Sequence, residues 1–338
     1  MSSFSDPLLV CRPALPSDTA DVLEFTKFIW DGHDYIEYVW KDWLDDPEGL
    51  LATAQYGPHA VGIAKVTHLS PGQWWLEGLR VNPNFQGLKI GSHLHEYMDR
   101  WWLRRGDGAI RLMTSSERLQ VHHLCERTGY TKLGEVAGYR LDVATSGVIV
   151  EDPAFFRARS AEGPERVREA TIAKHPAEGP EGVRKQSPGK ISKPASLVPV
   201  AADQLDSALE FASAHLAHST GLMDSGWRFS TPDQTNLGAL ASAGRLYWWD
   251  DRLGLLGIFE DEEDGQRVLS IGFAAVARLP VLADLLRAAV ELARQQGFAS
   301  VHWLAPVHND VQAALQEAGY ATDWDHTGYL YGKPHPGA

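Results

Sequence analysis

The residues best able to do chemistry stand in one short run, Leu79-Arg-Val-Asn-Pro-Asn-Phe-Gln86-Gly-Leu-Lys-Ile-Gly91-Ser92. An apolar strand ends at Val81, Pro83 stops it, and a glycine-bearing turn opens directly into a helix. Such a junction leaves unpaired backbone N–H groups and the positive end of a helix dipole facing one spot. That spot suits a phosphate or pyrophosphate. An ordinary strand–turn–helix connection would read the same way from these residues alone.

Elements must hold that turn in place, and the sequence supplies them in order. Apolar alternation predicts strands over Leu50–Tyr56, Ala60–His68 and Trp74–Val81. A helix is expected from Gly91 to Arg105, a strand from Ala109 to Thr114 and a helix from Leu119 to Arg127. The same succession returns later, as strands Arg245–Trp249, Leu253–Glu260 and Val268–Val276, helix Pro280–Gln296, strand Ser300–Leu304 and helix Asn309–Glu317. The openings match too: Leu9-Val-Cys-Arg-Pro with Val22-Leu-Glu-Phe25 parallels Leu197-Val-Pro-Val with Ala208-Leu-Glu-Phe211. Near the ends, Thr128-Gly-Tyr130 and Gly138-Tyr-Arg-Leu141 are echoed by Ala318-Gly-Tyr320 and Gly328-Tyr-Leu-Tyr331. The chain therefore reads as two copies of one α/β fold, each a mixed sheet flanked by helices. Residues 147–194 differ, with only Phe155 and Phe156 as aromatics and a short repeat, Ala161-Glu-Gly-Pro-Glu-Arg-Val-Arg168 and Ala177-Glu-Gly-Pro-Glu-Gly-Val-Arg184. That composition predicts a flexible linker between a domain at 1–146 and a second at 195–338.

The turn resembles the acetyl-CoA signature of the GNAT superfamily of N-acetyltransferases, Gln/Arg-x-x-Gly-x-Gly/Ala after a strand ending in Val-x-Pro. Gln86, Ile90 and Gly91 fit, while Lys89 stands where the family has its central glycine. Further runs, Gly32-His-Asp34-Tyr35-Ile36, Trp43-Leu44 with Asp46-Pro47, and Leu76-Glu77-Gly-Leu-Arg-Val81, are similar to the vertebrate histidine N-acetyltransferase group. That group also has a second, weaker GNAT-like half. The resemblance implies tandem GNAT-like domains and acetyl-CoA as co-substrate. It implies a pyrophosphate held by the N–H groups of Gln86, Gly87, Leu88, Lys89, Ile90, Gly91 and Ser92. The backbone of Leu79, Arg80 and Val81 would pair with the pantetheine arm, and one N–H there would polarise the thioester carbonyl.

Acetyl transfer to an amine needs a neutral nucleophile, so a base must take a proton from the ammonium form. The resemblance places that base at Glu77, which strand alternation would put on one face with Leu79 and Val81. A solvated strand carboxylate is the plainer reading. Aligning on Gly129-Tyr130 sets Cys125 where the family's acidic tyrosine stands. Cys125 could protonate the leaving thiolate or could be a small core residue. His122, three residues earlier on the helix, could lie near it; His122 and His123 also read as surface or structural residues. Asp34 and Tyr35 fall where the family's acceptor is contacted, and Asp34 equally suits a helix cap. The second half lacks a glycine turn after Val276, with Ala277-Arg-Leu-Pro280 in its place, so it reads as a degenerate, non-catalytic copy.

Composition removes other classes. The 338 residues carry a net charge of −13. Of this, residues 1–146 contribute −5 (14 basic against 19 acidic side chains) and residues 195–338 contribute −10 (8 against 18). Such a surface repels phosphate backbones, so nucleic acid is not an expected partner. No run nears the roughly 18 apolar residues of a membrane span, and the first residues lack the pattern of a signal peptide. Cys11 and Cys125 offer neither a metal spacing nor a disulfide framework, which suits the cytoplasm. The expected activity is acetyl transfer from acetyl-CoA to the primary amine of a small metabolite such as an amino acid, with histidine as the resemblance's own candidate. The alternatives are acetylation of a protein lysine or N-terminus, and a non-catalytic acyl-CoA-binding sensor.

Overall fold

The computed structural model describes residues 9–29, 34–105, 107–143, 197–216 and 220–337. Gly32, His33 and the expected linker at 147–194 lie outside the described residues. The first half runs β1 (Leu9–Pro13), α1 (Thr19–Thr26), α2 (Ile36–Asp45), β2 (Leu50–Tyr56), β3 (His59–Ser70), β4 (Gln73–Val81), α3 (Ile90–Arg105), β5 (Ala109–Ser115), α4 (Leu119–Arg127) and β6 (Thr131–Asp142). The second runs β7 (Leu197–Pro199), α5 (Leu205–His215), β8 (Met223–Asp224), β9 (Phe229–Ser230), α6 (Gln234–Ser242), β10 (Leu246–Trp249), β11 (Gly254–Glu263) and β12 (Gln266–Val276). It continues through α7 (Leu282–Gln296), β13 (Ser300–Pro306), α8 (Asn309–Ala318), β14 (Ala321–Thr322) and β15 (Gly328–Pro334). Among the described residues no helix is long and apolar enough to cross a membrane.

Among the described residues thirteen strands form one mixed sheet, in the order β1-β2-β3-β4-β5-β15-β6-β13-β12-β11-β10-β7, with β14 on β6. The order reveals an exchange. Strand β15, from the end of the second half, pairs antiparallel with β5 from Gly328 opposite Ser115 to Pro334 opposite Ala109. Strand β6, from the end of the first half, pairs antiparallel with β13 from Ser300 opposite Asp142 to Pro306 opposite Val136. The two exchanged strands also pair with each other. Each half thus receives a strand from the other, β15 beside β5 in the first and β6 beside β13 in the second. The second half is more than a neighbour packed on the first.

Burial follows the two sheet faces. On one face α3 and α4 cover Trp74, Leu76, Ile110, Leu112 and Tyr331, with Leu79 and Val81 at the rim. On the other, α1 and α2 bury Leu51, Ala60 and Ile63. A smaller cluster of Trp75, Val136, Leu222, Phe229 and Leu330 joins residues of both halves. The adjacent tryptophans Trp74 and Trp75 serve opposite faces, as strand alternation requires.

Candidate active site

Strands β4 and β5 run parallel and pair only over Gln73–Trp75 and Ala109–Arg111. Beyond Trp75 they separate, and the gap opens toward the C-terminal ends of both strands. The turn after β4 leads to this gap. Pro83–Phe85 forms one tight turn, capped by the Asn82 side chain accepting from Asn84 N–H at 3.0 Å, and Gln86 to Lys89 lie exposed before α3. Gly87 has φ +85°, and a Cβ there would meet nothing within 4 Å. Lys89 has φ +57°, a left-handed conformation uncommon for a residue with a Cβ. The glycine-like backbone is therefore kept at the position where the signature's glycine is missing. An exposed loop of this shape at the start of a 16-residue helix fits a phosphate-bearing ligand.

A bulge in β4 sets which side each candidate faces. Lys65 stands opposite Glu77 and Ile63 opposite Arg80, so Gly78 and Leu79 together oppose Ala64. Gly78 takes φ +67°, and a Cβ there would lie 2.5 Å from the Trp43 ring. The extra residue reverses the alternation. Leu79 and Val81 join the α3 face, whereas Glu77 and Arg80 point to the α1–α2 face. The expectation that Glu77 shares a face with Leu79 and Val81 is thereby corrected.

On the α1–α2 face four charges meet. Asp34, which is buried, accepts from Arg80 Nε at 2.9 Å, and its Oδ1 accepts from the Ile36 N–H at 3.3 Å. Asp34 thus both accepts from the first N–H of α2 and holds Arg80. The Arg80 guanidinium lies 5.3 Å from the centre of the Tyr35 ring, whose edge meets Trp43. Burial pushes the Tyr35 phenol above its ordinary pKa, while Arg80, Glu77, Asp34 and Arg228 all act on it electrostatically. Glu77 accepts from Thr67 Oγ1 at 2.6 Å. Its two carboxylate oxygens are each 3.1 Å from Nε of Arg228, a residue of the second half. Beneath them Lys65 is fully buried and pairs with Asp46; burial is the largest influence on its ammonium and lowers its pKa.

Arg228 was not anticipated from sequence. It ends the turn of the β8–β9 hairpin, a pair of two-residue strands with no periodicity to read. The structure brings Glu77, Asp34, Tyr35 and Arg80 together on one side of the sheet and sets Cys125 on the other. Cys125 is fully buried on α4, and burial pushes its thiol up to about 12. Its companion His122 receives Tyr331 of the exchanged strand, with the Tyr331 hydroxyl 3.1 Å from Nδ1. His123 is exposed on α4.

The second half has a similar gap in its own sheet. Strands β12 and β13 pair only over Val268–Ile271 and Ser300–Trp303. The space beyond is lined by apolar side chains, including Leu216, Leu222, Phe229 and Phe273. Before α7 the chain makes a turn over Leu279–Val281 without a glycine.

Comparison with known proteins bears on the fold that carries this geometry. The model of the acetyltransferase (GNAT) family matches residues 18–130. No curated protein sequence matches the chain. Among solved structures, a GCN5-related N-acetyltransferase from Sphaerobacter thermophilus is 14% identical over 98% of each chain, with a TM-score of 0.57. A tandem GNAT protein from the clavulanic acid biosynthesis pathway is 12% identical over 98% of this chain and 99% of that one, with a TM-score of 0.53. At such identities the likeness concerns the fold. Residues 18–130 therefore resemble the acetyltransferase (GNAT) family, which supports an acetyltransferase, and the chain as a whole has a fold similar to that of the tandem GNAT protein.

Proposed function

We propose that the protein transfers the acetyl group of acetyl-CoA to the primary amine of a small metabolite of amino-acid type, by direct attack, with Glu77 as general base. Acetyl-CoA supplies the activated acetyl thioester. The N–H groups from Gln86 to Ser92 would hold its pyrophosphate, and the backbone from Leu79 to Val81 would hold its pantetheine arm. The bulge at Gly78 frees backbone there from the ladder with β3, which suits an N–H that polarises the acetyl carbonyl.

The observation that carries this reading is the placement of Glu77. Its carboxylate stands beside the opening of the β4–β5 gap, on the face opposite α3, with 11% of its side chain exposed. An amine arriving on that face meets an oriented proton acceptor within reach of the gap. Cys125 has no such place. A thiol pushed up to about 12 holds its proton more tightly than an ordinary thiol near 8.5, so it is suited neither to nucleophilic attack nor to protonating a thiolate.

A small acceptor is favoured over a protein segment by the hairpin of the second half. Thr231 N–H donates to Gln73 Oε1 at 3.3 Å and Ser70 donates to Asp233 at 2.6 Å, so this arm crosses the acceptor face where a peptide backbone would need room. The second half itself we read as non-catalytic, because no glycine turn precedes α7. Histidine is the first acceptor to try. Glu77→Gln should lower kcat about 100-fold or more at neutral pH and leave acetyl-CoA binding within about 3-fold. Full turnover by that variant would remove Glu77 as the base.

A further inference from the structure

We propose that Arg228, delivered to the acceptor face by the second half, binds a carboxylate on the acceptor and thereby selects α-amino acids over simple amines. The proposal rests on the acetyl-transfer reading above and names its substrate class.

The geometry is that of a built device. Arg228 follows Trp227, which takes φ +68°, in a turn closed by Ser225 N–H donating to Arg228 O at 2.9 Å. The Ser225 hydroxyl donates to the same oxygen at 3.1 Å. Asp224 lies under the turn, buried, and its Oδ1 has no hydrogen-bond partner among the described residues. Burial pushes this carboxyl up to about 7, against the opposing influence of the Trp227, Arg228 and Ser225 backbone N–H groups. Aromatic contacts fix the flanks. Trp227 stacks on Trp324 at 5.2 Å, Trp324 stacks on His326 at 5.4 Å, and Phe229 meets Trp75 at 6.0 Å. A residue held by so many contacts loses little freedom when it binds a ligand.

Charge then limits what Arg228 can recognise. Its side chain is 32% exposed, compared with 11% for Glu77. Nε faces the Glu77 oxygens and the second terminal nitrogen lies 3.0 Å from one of them, so the guanidinium keeps N–H donors directed elsewhere. The nearby charges are already balanced, Arg80 by Asp34 and Lys65 by Asp46. A ligand with a single charge would unbalance the Glu77–Arg228 pair. An α-amino acid carries ammonium and carboxylate on one carbon, as close together as the two charges of that pair. It can dock head to tail, ammonium on Glu77 and carboxylate on the guanidinium fork. The contact that selects the acceptor then also places its amine on the base.

The test uses the full-length protein, acetyl-CoA, and three forms of one acceptor: L-histidine (or the best substrate among the common amino acids), its α-carboxamide, and its decarboxylated amine. For the wild-type protein kcat/KM for the acid should exceed that for the other two by about 30-fold or more. Arg228→Gln should lose about 10-fold or more on the acid beyond whatever it loses on the carboxamide, with the additional loss mainly in KM. Arg228→Lys should recover part of the loss. Quenching of tryptophan fluorescence by the N-acetylated acid should weaken in Arg228→Gln, a readout independent of turnover. Equal wild-type activity on acid and carboxamide, or an equal loss on both in Arg228→Gln, would overturn the proposal while leaving acetyl transfer standing. No transfer to any of the three would instead overturn the reading on which it rests.

Discussion

Arg228 and Glu77 join the two halves of the chain on the α1–α2 face of the sheet, with Nε of the arginine 3.1 Å from each oxygen of the carboxylate. The first half supplies the acidic partner from β4, and the second supplies the basic one from a hairpin turn. This contact and the exchange of β6 and β15 belong to one design. The half that carries the glycine-bearing turn is completed by a half with no glycine in its turn before α7.

Lys89 tests whether the turn before α3 needs a glycine-like backbone or a charge. Its φ of +57° costs a residue with a Cβ about 1 kcal/mol. Lys89→Gly should therefore stabilise the fold by about 0.5–1 kcal/mol in urea unfolding. A variant less stable than the wild type would show that the lysine side chain outweighs the strain.

Lys333 tests the exchange of strands. From β15 its ammonium reaches Asp99 of α3 at 2.8 Å and the Thr128 carbonyl at 2.8 Å. Lys333→Met should cost about 3 kcal/mol by leaving Asp99 uncompensated in a mostly buried site. Adding Asp99→Asn should recover most of that. Because β15 pairs with both β5 and β6, unfolding and loss of acetyl-CoA binding should occur in one transition. A cost below about 0.5 kcal/mol in the single variant would contradict this account.

His95 sets a pH dependence whose sign can be worked out. Burial pushes its pKa down to about 4 from an ordinary 6.5, and its Nε2 lies 2.9 Å from Thr128 Oγ1. Between these values the unfolded chain binds the proton and the folded one does not, so stability falls as pH drops from about 6.5 toward 4. The full effect is on the order of 3 kcal/mol. Asp224 acts in the opposite direction, because its raised pKa favours the folded state as pH falls below about 7. Comparison of His95→Asn with the wild type isolates the histidine, and the variant should lose less stability from pH 7 to 4. Parallel curves would refute the assignment.

Much of the fold was legible because each half alternates apolar and polar residues between glycine and proline breaks. Strand β2 and helix α4 have the bounds that pattern predicts, Leu50–Tyr56 and Leu119–Arg127. The partner of a strand was not legible. Gly328–Pro334 reads as a strand from its own residues, but nothing in them says that β5 lies beside it, since pairing depends on contacts far apart in sequence. At the site, Asp34, Tyr35 and Glu77 were candidates from their run of residues and lie together; Arg80 was expected only for its backbone, and its side chain on Asp34 was not anticipated. The face of Glu77 was misjudged because alternation assumes a regular strand, although Gly78 within that strand was a signal for a bulge. Cys125 was located by alignment, but its burial depends on the exchanged strand packed against α4. Arg228 had no signal at all, since its meaning arises only when the halves dock.

The central claim is acetyl transfer to the amine of a small amino acid, and the most direct measurement is identification of the acetylated product. The protein would be incubated with carbon-13-labelled acetyl-CoA and a mixture of amino acids, polyamines and lysine-containing peptides, and the products analysed by mass spectrometry. The account predicts label on the α-nitrogen of one or a few amino acids, with CoA released in equal amount. Label on peptide lysines or polyamines alone, or no labelled product beside tight acetyl-CoA binding, would contradict it.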